Sequence, residues 1–149
     1  MTHKGKIISI SSVKGGVGKT TMTLNLAGIY YMLKKKVLII DLDLYGGGIA
    51  ASLDVKNNKD IFMMIDSISN NRFTSLSDYV ETYNKGIDVL ASPKDPRNAS
   101  KIESKYLSLI FDLASKEYDV ILVDTSHSLD EINLEVLDES YMSLFIITN

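Results

Sequence analysis

The sequence contains no cysteine and only 2 prolines. Without cysteine, these residues can form neither a disulfide framework nor a thiolate site for zinc or an iron–sulfur cluster. The scarcity of proline and the absence of a low-complexity run argue against long linkers. Since 149 residues are about one domain's worth and 45% of them are hydrophobic, the composition predicts a single domain, residues 1–149, with a substantial apolar core.

The chain also lacks a long apolar run and a strong excess of basic residues. The longest apolar stretch near the N-terminus, Val37–Ile40, is far too short to span a bilayer, and Met1–Lys6 does not have the pattern of a signal peptide. The formal net charge of −3 disfavours a nucleic-acid partner, and the basic runs His3–Lys6 and Lys34–Lys36 are expected to be solvated ends of regular elements. We therefore expect a cytoplasmic protein without a transmembrane segment.

Short apolar runs alternate with stretches of helical periodicity along the chain. This alternation predicts an α/β fold with a doubly wound, mostly parallel sheet. The predicted strands are Lys6–Ser11, Val37–Asp41, Ile87–Ala91, Val120–Asp124 and Ser143–Thr148. The predicted helices are Thr20–Leu33, Asp60–Ser69, Thr74–Thr82, Lys101–Tyr118 and a last one that starts at a capping box, Ser128–Glu131, and ends near Ser140.

A glycine-rich run follows the first strand and precedes the first helix. It reads Lys-Gly-Gly-Val-Gly-Lys-Thr-Thr from Lys14 to Thr21, and it matches a phosphate-binding loop except that Val13 stands where the first glycine is usual. Glycines let the backbone curl so that its N–H groups face phosphate oxygens, and the dipole of the following helix adds positive potential. Lys19 is expected to reach the β- and γ-phosphates, and Thr20 to ligate Mg²⁺. The predicted nucleotide-binding residues are Lys14, Gly15, Gly16, Val17, Gly18, Lys19, Thr20 and Thr21.

Two other predicted strands end in aspartate. Val120–Asp124 is four apolar residues followed by an aspartate, the Walker B pattern, in which the carboxylate supports Mg²⁺. Asp41 and Asp43 are separated by one residue, so on an extended strand both would point to the same side, toward metal and attacking water. Helix-capping or turn roles are the alternative for these carboxylates. Because ligands bind beyond the carboxyl ends of parallel strands, the candidate metal residues are Thr20, Asp43 and Asp124.

The lysine ahead of the loop places the sequence near a known family. Lys-Gly-Gly-x-Gly-Lys-Thr, with Lys14 in the early position, resembles the deviant Walker A signature of the MinD/ParA group of P-loop ATPases. The resemblance implies ATP or ADP with Mg²⁺ as cofactors, and an ATP-dependent homodimer in which Lys14 reaches the nucleotide of the other subunit. It also implies a catalytic set of Lys14, Lys19 and Asp43, with Asp43 positioning the attacking water. The likeness covers nearly all of this chain but only the first part of the family's domain.

Two loops depart from the pattern of that family. After Asp43 the sequence reads Leu44–Gly48 in place of the Pro-Gln of the plasmid-partition members, and its three glycines suggest a mobile switch. The segment Asp124–Glu131, which the resemblance identifies as switch II, has neither proline nor glycine after the aspartate. This favours an alternative, a scaffold that binds nucleotide without hydrolysing it. No catalytic role is assigned to His127, because a lone loop histidine is more often a solvent-facing polar residue.

Three segments point to one branch of the group. Ile87–Pro96, Tyr118–Asp124 and Leu129–Asp138 look most like the CpaE/TadZ proteins, which are ATPases of tight-adherence pilus assembly that mark a site at the cell pole. The resemblance therefore implies protein partners from a localisation or pilus machinery. The lack of cysteine excludes the nitrogenase iron protein and the iron–sulfur carrier ATPases, which share the loop. DNA partitioning of the ParA kind is a further alternative, which the acidic net charge disfavours.

Overall fold

The computed structural model describes residues 4–12, 18–44, 48–53, 58–84, 86–126 and 130–147, and these residues form six strands and five α-helices. The strands are β1 (Lys6–Ser12), β2 (Val37–Leu42), β3 (Glu81–Asn84), β4 (Ile87–Leu90), β5 (Val120–Thr125) and β6 (Met142–Ile146). The helices are α1 (Lys19–Met32), α2 (Gly48–Ser52), α3 (Ile61–Ser69), α4 (Leu107–Glu117) and α5 (Glu131–Glu139). Short 3₁₀ helices cover Leu76–Asp78, Pro96–Lys101 and Ser104–Tyr106.

The strands form one sheet in the order β3-β4-β2-β5-β1-β6. Every neighbouring pair is parallel except β3 and β4, which are antiparallel. Both β2 and β5 are buried at all six positions, as expected of central parallel strands covered on both faces. The expected doubly wound, mostly parallel α/β sheet is therefore confirmed.

Two apolar layers sandwich the sheet. On one face, Ile8, Ile10 and Ile39 pack with Ala27 of α1 and Ile49 of α2. On the other face, the buried side chains of α3, α4 and α5 pack against alternate residues of the same strands; they include Ile61, Met64, Ile110, Phe111, Ile132 and Val136. This double cover fixes β1, β2 and β5 side by side, and it is their carboxyl ends that build the candidate site.

One helix prediction is wrong. The segment Thr74–Thr82 forms no α-helix: only Leu76–Asp78 makes a 3₁₀ turn, and Glu81–Asn84 is the edge strand β3. Leu76 and Val80 are buried in the core, and from Glu81 onward the backbone pairs with β4, with a register irregularity between Thr82 and Asn84. Pairing with a strand that follows two residues later overrides the local helical pattern.

Two other helices begin later than the sequence indicates. Residues 101 and 104–106 belong to 3₁₀ turns, residues 102 and 103 are irregular, and α4 starts only at Leu107, although Ile102 and Tyr106 still pack on the core. The cap of α5 is Asp130, whose Oδ1 accepts a hydrogen bond from the Asn133 N–H at 2.9 Å. Ser128, the predicted cap, lies outside the described residues.

β6 is an edge strand whose only described neighbour in the sheet is β1. Phe145 of this strand is 57% exposed, as expected for a strand at the edge of a sheet. None of the helices in the described part of the chain is both long and apolar enough to cross a membrane.

Candidate nucleotide and magnesium site

The carboxyl ends of β1, β2 and β5 converge on the beginning of α1. In the parallel pairing of β2 with β5, Asp41 lies directly opposite Asp124. Gly18 precedes α1 with φ of 91°, a left-handed conformation that costs glycine little, and it lets the chain turn abruptly into the helix. Three acidic side chains and the first turn of a helix are thereby brought to one edge of the sheet, as the sequence analysis expects.

Lys19 lies at the centre of this cluster. Its side chain is almost fully buried, with 6% of the residue exposed. The Nζ atom is 3.5 Å from Asp43 Oδ2 and 3.7 Å from Asp124 Oδ1. A buried ammonium group needs anionic partners, and phosphate oxygens are acceptors of the same kind as these carboxylates.

Thr20 and Asp124 form the second element of the cluster. The Thr20 hydroxyl donates a hydrogen bond to Asp124 Oδ2 at 3.3 Å, while Asp124 itself is 1% exposed. Asp124 Oδ1 has no hydrogen-bond partner within the normal distance limit in the described part of the chain, so it retains acceptor capacity. A hydroxyl and a carboxylate are hard oxygen donors of the kind that Mg²⁺ prefers.

This donor set fits magnesium bound together with a phosphate ligand. Among the described residues there is no group of three or more histidine, cysteine or acidic side chains that could hold a metal ion unaided. Mg²⁺ commonly uses one or two protein oxygens and completes its shell with phosphate oxygens and water. Thr20 and Asp124 can supply that protein share, so these two of the three predicted metal residues fit such a site, while the carboxylate of the third, Asp43, lies against Lys19.

Asp41 and Asp43 are not equivalent. Asp43 follows the last residue of β2, and its backbone N–H donates to Asp41 Oδ1 at 3.0 Å, while its carboxylate turns toward Lys19. Asp41 is 0% exposed, and its Oδ2 has no hydrogen-bond partner among the described residues. The spacing of the two aspartates predicts that both side chains point to the same side of a strand. Because β2 ends at Leu42, Asp43 lies beyond the strand and faces Lys19, whereas Asp41 stays buried within it.

Burial raises the pKa of both buried carboxyl groups. The pKa of Asp41 rises to about 7, first because of burial and second because of the nearby charge of Asp124. The pKa of Asp124 rises to about 6, mainly through burial, although the Lys19 cation acts in the opposite direction. A bound metal cation would act in the same direction as Lys19 and lower this pKa, because a cation favours the charged form of the carboxyl group.

These pKa values predict that stability falls as the pH rises. A carboxyl group with a raised pKa binds more protons in the folded than in the unfolded state, so its contribution is complete below pH 4 and is lost as the pH passes 6 to 7. We expect the unfolding free energy of the nucleotide-free protein in EDTA to decrease by about 1–4 kcal/mol between pH 5 and pH 8. Urea unfolding at several pH values measures it.

Asp41→Asn is the informative variant for this pH dependence, because the amide cannot ionise. It should flatten the curve above pH 5, whereas Asp112→Asn, on the exposed Asp112–Lys116 pair, should leave the slope as in the parent. A parent protein equally stable at pH 5 and pH 8 would contradict the burial argument.

The glycine-rich switch contributes a contact that the sequence did not reveal. Gly48 starts α2, and a Cβ placed on it would lie 3.4 Å from Thr20 Oγ1, so this glycine lets α2 approach the proposed metal ligand closely. The backbone of Ile49 in the same helix also acts to lower the pKa of Asp41, as the smallest of the effects on that carboxyl group. The run of three glycines was the only sequence signal for this close approach.

The remaining predicted residues divide into two groups. Thr21 is in the first turn of α1 and its side chain is exposed, so its role in binding nucleotide remains a prediction. Four residues of the phosphate-binding loop lie outside the described residues, and their roles remain predictions: Lys14, Gly15, Gly16 and Val17. Residues 127–129 of switch II, including His127, lie outside them as well.

Comparisons with known proteins identify the family of this chain. A family model, AAA_31, described as an AAA domain, matches residues 5–148. The chromosome partitioning protein ParA of Myxococcus xanthus is 29% identical over 140 residues, which are 89% of this chain and 48% of the relative. Tyrosine-protein kinase YwqD of Bacillus subtilis is 30% identical over 134 residues, covering 89% of this chain and 54% of the relative. The chain spans about half the length of the curated relatives it matches.

A solved structure extends the likeness to the fold. The septum site-determining protein MinD of Pyrococcus horikoshii OT3, in complex with Mg-ADP, superimposes with a TM-score of 0.80 at 26% identity. The match covers 95% of this chain and 57% of the MinD chain. The six-stranded arrangement is therefore the N-terminal part of a ParA/MinD-type fold.

Proposed function

Since the chain belongs to the AAA_31 family, and ParA and MinD P-loop ATPases are among its homologues, we propose that it is an ATP- and Mg²⁺-dependent switch. In this proposal it dimerises around bound ATP, hydrolyses the ATP slowly, and uses the cycle to position cellular machinery. The observation that carries the proposal is the buried Lys19 held between Asp43 and Asp124 at the first turn of α1. A buried lysine at this place is suited to pair with phosphate groups.

Each described side chain of the cluster has a task in this proposal. Lys19 pairs with the β- and γ-phosphates, and Thr20 with Asp124 holds Mg²⁺, which when bound neutralises charge on the phosphates. Asp43, whose side chain is 26% exposed, is the group that orients the attacking water. Asp41 stays buried behind them and anchors the backbone of Asp43, so that the catalytic carboxylate leaves the strand at a fixed point.

In this proposal the dimer depends on the positive charge of Lys14. Replacing Lys14 with an uncharged residue tests that dependence. Two bound nucleotides bring like charges together, so the interface needs cations supplied from both subunits. We expect Lys14→Gln in the full-length protein to leave ATP binding by the monomer nearly unchanged, to weaken the ATP-dependent dimer about tenfold or more, and to reduce turnover. Sedimentation velocity with ATP and Mg²⁺ measures the dimer fraction.

The matched control for this experiment is Lys105→Gln. Lys105 is an exposed lysine paired with Glu103, and its loss should change nothing because exposed pairs contribute little. Equal dimer fractions for the parent and Lys14→Gln would refute the ATP-sandwiched dimer. A parent protein that stays monomeric with ATP would refute the switch itself.

We further propose that the machinery is tight-adherence pilus assembly at a cell pole, with partners from that machinery. Its support is the likeness of Ile87–Pro96 and of the segments around β5 and α5 to CpaE/TadZ proteins. A ParA-like role in DNA partitioning is the second candidate, which the similarity to the Myxococcus protein favours and the net charge of −3 disfavours. ATP-dependent binding to non-specific duplex DNA in a gel-shift assay would support partitioning, whereas recruitment to the pole in a pilus-forming host would support the pilus role.

A further inference from the structure

β1 and β5 separate just where the candidate site begins. Their parallel pairing runs from Lys6 and Val120 up to Ile10 and Asp124, and it stops there. Beyond this point β5 remains paired with β2 through Thr125, while β1 continues beside β6 as far as Ser12. The two strands that lead into the phosphate-binding loop and out of the Walker B aspartate therefore diverge at their carboxyl ends.

The hydroxyl group of Thr125 bridges this opening. Its Oγ1 donates to the backbone carbonyl of Ile10 at 2.8 Å, and it lies 2.9 Å from the Ser11 hydroxyl. A threonine hydroxyl can donate only one hydrogen bond, and Thr125 donates it to the Ile10 carbonyl. In the second bond the Ser11 hydroxyl must therefore be the donor. Thr125 is 1% exposed and its bond to Ile10 is buried, so this bond is shielded from competing water, whereas the bond to the partly exposed Ser11 is only partly shielded.

The residue after Thr125 is held from the opposite side. Asn133 of α5 donates from Nδ2 to the Ser126 carbonyl at 3.1 Å and to the Ser126 hydroxyl at 2.9 Å. The end of β5 is therefore anchored to β1 through Thr125 and to α5 through Ser126. Thr125 and Ser126 directly follow Asp124 in the chain. Their hydrogen bonds therefore restrain the position of Asp124 relative to α1, the helix that carries Thr20.

We propose that Thr125 is a positioning residue of the magnesium site. Its hydroxyl fixes the spacing between the strand that enters the phosphate-binding loop and the strand end that carries Asp124. The pair of metal ligands, Thr20 and Asp124, is correctly spaced only while that bridge is intact, because Thr20 follows the loop and Asp124 precedes the bridge. This proposal rests on the proposed function, since it assigns Thr125 to the same magnesium-assisted nucleotide site.

Thr125→Val separates positioning from packing. Valine has nearly the same shape but lacks the hydroxyl, so it breaks both bonds and leaves Ser11 and the Ile10 carbonyl without this partner. Titration of the full-length protein with a fluorescent ADP analogue, with Mg²⁺ and with EDTA, gives the factor by which Mg²⁺ tightens binding. We expect that factor to fall about tenfold in Thr125→Val, while the affinity in EDTA stays within about twofold of the parent.

Two further variants decide between positioning and general loosening of the sheet. Thr125→Ser keeps the hydroxyl and should restore the Mg²⁺ factor. Ser143→Ala removes a comparable hydroxyl bridge, the 2.8 Å bond from Ser9 on β1 to Ser143 on β6, and should leave the factor as in the parent. Thermal unfolding of all variants, followed by circular dichroism, reports stability separately from metal dependence.

Each outcome of this experiment counts for or against the proposal. A parent-like Mg²⁺ factor in Thr125→Val overturns it, as does a Thr125→Ser variant as impaired as Thr125→Val. An equal loss in Ser143→Ala would show that any weakening of β1 lowers the factor, and it would also overturn a specific role for Thr125. A parent protein whose ADP affinity ignores Mg²⁺ is a different result: the proposed function fails, and the positioning role fails with it.

Discussion

Lys19→Ala is expected to abolish nucleotide binding. Lys19 is the buried cation of the site, and its Nζ lies within 4 Å of two carboxylates at the place where the phosphates are proposed to bind. Charge-assisted hydrogen bonds contribute about 1.5–3 kcal/mol each, so losing those to two phosphates should weaken ATP binding at least about a hundredfold. Isothermal titration calorimetry of the full-length protein with ATP and Mg²⁺ measures the loss.

The control for this experiment must separate charge at the site from folding. Lys105→Ala removes an exposed lysine and should bind ATP like the parent. Lys19→Ala also leaves buried carboxylates without their cation, so a circular dichroism spectrum and a melting curve are needed to establish that the variant is folded. A folded Lys19→Ala protein with parental ATP affinity would refute the phosphate-binding assignment.

Asp43→Ala is expected to stop hydrolysis while sparing ATP binding. The backbone N–H of residue 43 still donates to Asp41 in this variant, so the end of β2 should keep its course and only the carboxylate is lost. Removal of a group that orients or activates water lowers turnover about a hundredfold or more. Because ATP is then bound but not consumed, the ATP-bound dimer should accumulate.

Phosphate release and light scattering together test the role of Asp43. Asp112→Ala, which removes an exposed carboxylate paired with Lys116, is the matched control and should behave like the parent. Parental turnover in Asp43→Ala would remove Asp43 from the catalytic set. A variant that stays monomeric with ATP, while the parent dimerises, would make Asp43 a structural residue. If the parent binds ATP but never releases phosphate, the non-hydrolysing scaffold becomes the better description.

Local sequence determined much of the architecture. The apolar runs of β2 and β5 are so continuous that their burial on both faces follows from composition, and the confirmed mostly parallel sheet follows from the alternation of strands with helices. Lys19, Thr20 and Asp124 were identified because they stand at fixed offsets from glycines or from a strand end. Such signals depend only on residues that are close together in the chain, so they can be recognised from the sequence without a structure.

The helix predictions are wrong where contacts with the sheet compete with a local helical pattern. Thr74–Thr82 has helical spacing and a capping pattern, yet Glu81–Asn84 gains more from pairing with β4 than from a helical turn. Helical spacing also puts the start of α4 too early, because Ile102, which directly follows the 3₁₀ turn Pro96–Lys101, reaches the core without being part of a helix. In both cases, pairing with the sheet or packing against it outweighs the local helical spacing.

The amino-acid sequence by itself determined which residues have the right chemistry for a phosphate and magnesium site, because residue type and spacing are written in the chain. Tertiary structure alone decided how they are used. It set Asp41 opposite Asp124 in the register of β2 and β5, buried Lys19 between two carboxylates, and joined Thr125 to Ile10 across 115 positions of sequence. Distances of this kind arise from sheet order and packing, which depend on the whole chain at once, and no local pattern specifies them.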